Sequence, residues 1–130
     1  MSTVEIVSFG YLHAEPPAAH ITLDLRHHFR DPHVDPALRY LTAEDEPVRQ
    51  AVLATAGIAE LVEATARAVD AFAAGPSAGP VVIADGCAGG RHRAPSFAAA
   101  LGDRLRLAGH SVTVQHRDIH RPVVEREVKS

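Results

Sequence analysis

Strands alternating with helices predict an α/β fold: a single three-layer domain with a mainly parallel sheet of about four strands and helices on both faces. Three observations carry this expectation. Short apolar runs bounded by Gly, Pro or polar clusters recur at residues 4–9, 20–26, 80–84 and 111–117. Apolar residues at helical spacing fill the intervals between the later runs. The length of 130 residues is that of one ordinary domain able to bury a real core.

The first strand runs from Val4 to Phe9 and ends at Gly10. Tyr11 to Ala19 carries Pro16-Pro17 and reads as a loop or a short broken helix. His20 to Arg26 is a cleaner strand, with Ile21, Leu23 and Leu25 on one face and Thr22, Asp24 and Arg26 on the other. Residues 27–39 hold two prolines and many polar side chains, so they predict a long irregular loop, a common place for function. Glu46 to Thr55 predicts a short helix. A longer one follows, with Ile58, Leu61, Val62, Val69 and Phe72 on an inward stripe, Thr65 as its polar member and Gly75-Pro76 as its stop. Pro80 to Ala84 is an apolar strand, and Ala94 to Ala108 a helix with Phe97, Leu101 and Leu105 four apart, capped at Gly109. Ser111 to Arg117 is the last strand, and 118–130 is expected to be a flexible or docked tail.

Composition narrows the class of function. A hydrophobic share of 46% with 22% charged residues is that of a soluble globular domain, and no apolar run approaches the roughly 18 residues of a membrane span. The lone cysteine forms no internal disulfide and, with no signal peptide visible, suits a reducing cytoplasm. With histidines neutral the net charge is -3, which excludes a whole-surface attraction for nucleic acid. Any anion site must therefore be local.

One such site is written into Gly86-Cys87-Ala88-Gly89-Gly90-Arg91-His92-Arg93. A glycine-rich turn between a strand and a helix presents unpaired N–H groups and the positive end of the helix dipole to one point. Arg91, His92 and Arg93 add donors suited to an oxyanion. Without a terminal Lys-Ser or Lys-Thr it is not a Walker A loop, and its glycine spacing is not the dinucleotide one. Cys87 and Arg93 also stand five residues apart, as in cysteine-dependent phosphatases, where a thiolate attacks phosphorus. Those enzymes place a hydroxyl residue after the arginine, and here it is Ala94. The plainer readings are a buried thiol beneath the turn and glycines that serve only its tight bend.

Asp24, Arg26, His27, His28 and His33 make a second constellation, placed to share one sheet edge with the turn. A solvated polar loop is the plain alternative. The nine histidines match no zinc-ligand spacing, and neither a metal nor a cofactor is expected.

Five ordered blocks together resemble the C-terminal domain of the RapZ (YvcJ-type) family of RNase adapter proteins. They are Ser8-Phe9-Gly10-Tyr11-Leu12-His13, Leu23-Asp24-Leu25-Arg26, Asp31-Pro32-His33-Val34-Asp35-Pro36-Ala37-Leu38-Arg39 with Leu41-Thr42, Gly86 to Arg93, and Gln115-His116-Arg117. The resemblance implies a non-catalytic sensor of a phosphorylated amino sugar such as glucosamine-6-phosphate, similar to the sugar-phosphate part of phosphofructokinase. It also implies self-association and, in some members, delivery of small RNA to a ribonuclease. Family members carry an N-terminal P-loop domain that is not expected here. By position, Gly89, Gly90, His92 and Arg93 would meet the phosphate, with Cys87 and Arg91 in the same turn, while Asp24, Arg26 and His33 would face the sugar. The chain departs from the family at Ala88 and Ala94, where Thr and Ser are usual, and in Glu125-Arg126-Glu127-Val128-Lys129, which is charge-balanced where the family's RNA-binding tail is lysine-rich. The alternatives are an RNA-binding adapter and a phosphatase using Cys87 and Arg93.

Overall fold

The computed structural model describes residues 2–77 and 79–124. Four strands, β1 (Thr3–Gly10), β2 (Ile21–Asp24), β3 (Val81–Cys87) and β4 (Ser111–His116), form one all-parallel sheet in the order β2-β3-β1-β4. Three helices, α1 (Glu46–Leu53), α2 (Ile58–Ala73) and α3 (Arg93–Leu107), complete the expected single α/β domain. Among the described residues no helix is long and apolar enough to cross a membrane.

The register explains the core. Val4, Val81 and Val112 align across the sheet, as do Ile6, Ile83, Val114 and Ile21, and all pack into one cluster with Ile58, Val62, Val69, Phe97, Leu101 and Leu105. Thr65 sits on that buried stripe and donates its hydroxyl to the Leu61 carbonyl at 2.7 Å, so its polarity is satisfied within α2. Phe72, expected on the stripe, is 47% exposed and meets the His20 ring instead. At α3, a Cβ on Gly102 would lie 2.8 Å from Val114, so this glycine lets the helix approach β4 closely.

Two details differ from the sequence expectation, each for a physical reason. The two helices that pack on the sheet, α2 and α3, share one face and α1 packs against α3, because β2 to β3 and β3 to β4 step the same way along the sheet and right-handed crossovers then lie on the same side. Only β1 to β2 steps the other way, and its connection holds Pro16-Pro17 and no helix. The second face accordingly exposes Thr3, Glu5, Thr22, Thr113 and Gln115, while Tyr11 packs edge-on against buried Phe9 at 4.8 Å. The second difference is that β3 continues through Asp85, Gly86 and Cys87, which read as a turn. A side chain at Gly86 would strike the Phe9 ring at 2.4 Å, so this glycine serves strand packing rather than a bend.

Candidate functional site

The turn after β3 is shaped by backbone pressed against backbone. A Cβ on Gly10 would lie 2.4 Å from the Gly89 carbonyl carbon, and one on Gly90 would lie 2.6 Å from the Gly10 nitrogen. Gly90 also takes φ +67, a conformation that side chains disfavour. The polypeptide therefore bends tightly enough to deliver its amides to the start of α3. Among the described residues, the amides of Gly89, Gly90, Arg91, His92 and Arg93 donate to no protein acceptor. The next amide, of Ala94, points at the Cys87 sulfur at 3.4 Å. These five successive amides stand at the positive end of a 15-residue helix, an arrangement with the donors and dipole that suit an anion.

The basic side chains behave otherwise than their sequence suggests. Arg93 is buried and directs Nη1 to the carbonyls of Leu25, Arg26 and Phe29 at 3.0–3.2 Å and Nη2 to the Asp31 carboxylate at 3.1 Å. Its Nε is buried with no partner among the described residues. His92 donates from Nε2 to the Leu41 carbonyl at 2.8 Å, and burial holds its pKa below the ordinary histidine value. Arg91 donates to the carbonyls of Leu41, Tyr40 and Arg121. These three side chains bind the 25–41 segment to the head of α3, and the two arginines bring positive charge to the turn while spending most of their donors on carbonyls.

One cleft joins His33, Cys87, Gly89, Arg91, His92 and Arg93 with Leu12, Asp31 and the segment from Pro122 to Val124. Gly90 lies behind its wall, against Gly10 and Asp118. Asp24 and Arg26 do not line the cleft. They pair with each other through bonds of 2.7–3.2 Å, and the Arg26 guanidinium stacks 3.7 Å above the Tyr11 ring. Those hydrogen bonds from Arg26 hold the Asp24 carboxyl at about 2, against the opposing effect of its partial burial. Asp24 belongs to the sheet face opposite that of Leu23 and Leu25, which explains the separation. His27 and His28 are exposed and also lie outside the cleft.

Four residues that hold this site carried little signal in the sequence. Asp31 accepts from the His33 amide at 2.9 Å and pairs with Arg93, so it connects the loop to the turn. Gly10 looked like an ordinary strand end. Asp118 looked like the first residue of a tail, yet it is 1% exposed and accepts from the Gly10 amide, Arg117 and Arg121 at 2.8–2.9 Å. Burial alone would raise its pKa, but the Arg117 and Gly10 hydrogen bonds outweigh burial and lower it. Ile119, also buried, packs with Val48 and Val52 of α1. The expected tail is thus docked at its beginning, and its charged residues 125–130 lie outside the described residues.

Comparison with known families and proteins agrees with this architecture. The family model for the RapZ C-terminal domain matches residues 2–120. A protein of Thermobifida fusca is 39% identical over 119 residues, covering 89% of this chain and 40% of its own length. Proteins of Desulforudis audaxviator and Salinispora tropica are 34% and 38% identical over 92% and 91% of the chain. All three are described as nucleotide-binding proteins, and the chain spans about 40% of their length.

Proposed function

The chain belongs to the RapZ C-terminal domain family, and on that premise we propose that it is a non-catalytic sensor domain that binds a phosphorylated sugar, in particular an amino-sugar phosphate such as glucosamine-6-phosphate. The observation that supports this reading most is the run of unpartnered amides from Gly89 to Arg93 at the head of α3. A phosphate placed there would receive several N–H donors without displacing any existing bond. His33 and Asp31 stand in the same cleft and offer polar contacts to the rest of the ligand. Asp24 and Arg26, expected at the sugar, would reach it only if their mutual pair opened.

Thiol chemistry is the weaker reading. Cys87 is 2% exposed, Ala94 offers no hydroxyl, and the Arg93 guanidinium that would grip a phosphoryl group is committed to three carbonyls and Asp31. The nucleotide binding named for the relatives is not carried over, since the glycine turn lacks the Walker A lysine. Self-association, cytoplasmic residence and contact with RNA belong to this proposal only through the family resemblance.

Isothermal titration of the chain with glucosamine-6-phosphate, glucose-6-phosphate and inorganic phosphate tests it. Binding of both sugar phosphates is expected, tighter for the amino sugar and weakened in Gly89→Ala. Absence of heat with all three ligands, or a Gly89→Ala variant that binds each as the parent does, would overturn it.

A further inference from the structure

The cleft at the turn is closed in this structure. Its cavity of about 20 Å³ is room for roughly one water molecule, far less than a sugar phosphate requires. Three of its walls are firmly tied. The turn is wedged against Gly10, and Arg91, His92 and Arg93 hold the 25–41 segment through seven hydrogen bonds and ion pairs to Leu25, Arg26, Phe29, Asp31, Tyr40 and Leu41. The fourth wall is Pro122, Val123 and Val124, and it is built differently. Val123 is half-buried, Pro122 is exposed and Val124 is 36% exposed. Among the described residues, the polar ties of this stretch lie just before it, where Arg121 pairs with Asp118 and its carbonyl accepts from Arg91 at 3.3 Å.

We propose that residues 122–124 form an apolar strap, hinged at the buried Asp118 and Ile119, that closes over the amide cradle and must swing away before a phosphorylated ligand binds. This rests on the anion site proposed above and assigns its regulation. The strap and the ligand compete for the same space, so the apparent affinity is the intrinsic affinity reduced by the fraction of molecules with the strap undocked. Conversely, ligand binding frees a short apolar segment at the far end of the chain, and the bound state differs from the empty one at a surface a partner can read. Asp118 serves as the anchor because its carboxylate holds Gly10, Arg117 and Arg121 at once, keeping the strap's root in place while its tip moves.

The test uses the full chain and a variant carrying Val123→Ser with Val124→Ser, titrated with inorganic phosphate and with glucosamine-6-phosphate. Both substitutions fall on partly exposed side chains outside the main core. The variant is expected to bind both ligands roughly three- to tenfold more tightly, as removal of a mostly docked competitor requires. Amide hydrogen exchange in the unsubstituted chain supplies an independent measurement: residues 121–124 should exchange faster with phosphate bound. Equal affinities in the two chains, weaker binding in the variant, or unchanged exchange would overturn the strap and leave the anion site standing. Binding of phosphate and sugar phosphate to neither chain would remove both the site and its strap.

Discussion

At the scale of single residues, glycines in this site do opposite jobs at neighbouring positions, and substitution separates them. Gly10 holds the turn in shape by backbone contact, so Gly10→Ala must push Gly89 away. We expect a loss of about 1–3 kcal/mol in denaturant unfolding, in line with other overpacked sites. Gly89 has no such constraint, since its Cβ would meet only the Arg91 Cβ at 4.0 Å. Gly89→Ala should leave stability unchanged or raise it by up to about 1 kcal/mol through the unfolded chain. Its methyl group, set beside the free amides, should cost the phosphate site about tenfold in affinity. A Gly89→Ala chain that unfolds earlier than the parent would contradict the open space at that position. Asp85 poses a different question, because its carboxyl is fully buried on the helix side of β3 with neither oxygen partnered among the described residues. Burial raises its pKa well above the ordinary value, so the folded chain keeps a proton that the unfolded chain releases near pH 4. Stability therefore falls as pH rises from about 4 toward that raised value. Asp85→Asn removes the titration, and its stability advantage over the parent should grow between pH 4 and pH 8 in chemical unfolding at fixed ionic strength. A constant difference across that range would show that Asp85 is not the group responsible.

Elements are where the sequence was most and least informative. Apolar alternation exposed β1 and β2, helical spacing exposed α2 and α3, and Gly109 marked the end of α3 with φ +92. Those signals are local, and local periodicity reports burial directly. The end of β3 was hidden because Asp85 and Gly86 have the composition of a turn, and only the Phe9 ring on the neighbouring strand explains a glycine there. The role of Arg93 was hidden for a related reason. An arginine beside glycines reads as an anion grip, whereas the direction of its donors depends on a loop 64–68 residues earlier in the chain. The structure makes Arg93 the clamp of the 25–31 segment. Arg93→Ala should accordingly cost about 3–5 kcal/mol, because the buried guanidinium's ion pair with Asp31 and its bonds to three carbonyls are lost together. Arg93→Lys should recover only part of that loss, since an ammonium cannot reproduce the planar fork. Thermal unfolding with hydrogen exchange of residues 25–31 reads both effects, and an Arg93→Ala chain with normal protection there would refute the clamp.

Across the whole molecule, the two ends of the sheet edge are tied together by neutral histidines, and this sets how the fold responds to acid. The layering itself was only half legible, because helix number follows from periodicity while the face each helix covers follows from strand order, which no local pattern encodes. His92 links α3 to the Leu41 carbonyl, and His116 links β4 to β1 through Nδ1 and the Ser8 hydroxyl at 2.7 Å. Burial lowers the pKa of both below the value near 6.5 of an unfolded chain. In the window between those values the unfolded chain binds protons that the folded chain refuses, so the stability these two histidines contribute is fully present above pH 6.5 and is lost as pH falls through the lowered values. Asp118, whose pKa is lowered from the carboxylate range, adds its own loss only at still lower pH. The acid limb between pH 7.5 and pH 5 should therefore belong mainly to the histidines. His92→Gln keeps a donor where Nε2 stands, and His116→Asn keeps a polar group where Nδ1 stands, neither of them titrating. A chain carrying both should show a shallower fall in its urea midpoint over that range than the parent. If the full fall persists in the double variant, these histidines do not govern it, and the tie between α3 and the 38–41 segment is not the acid-sensitive joint of the fold.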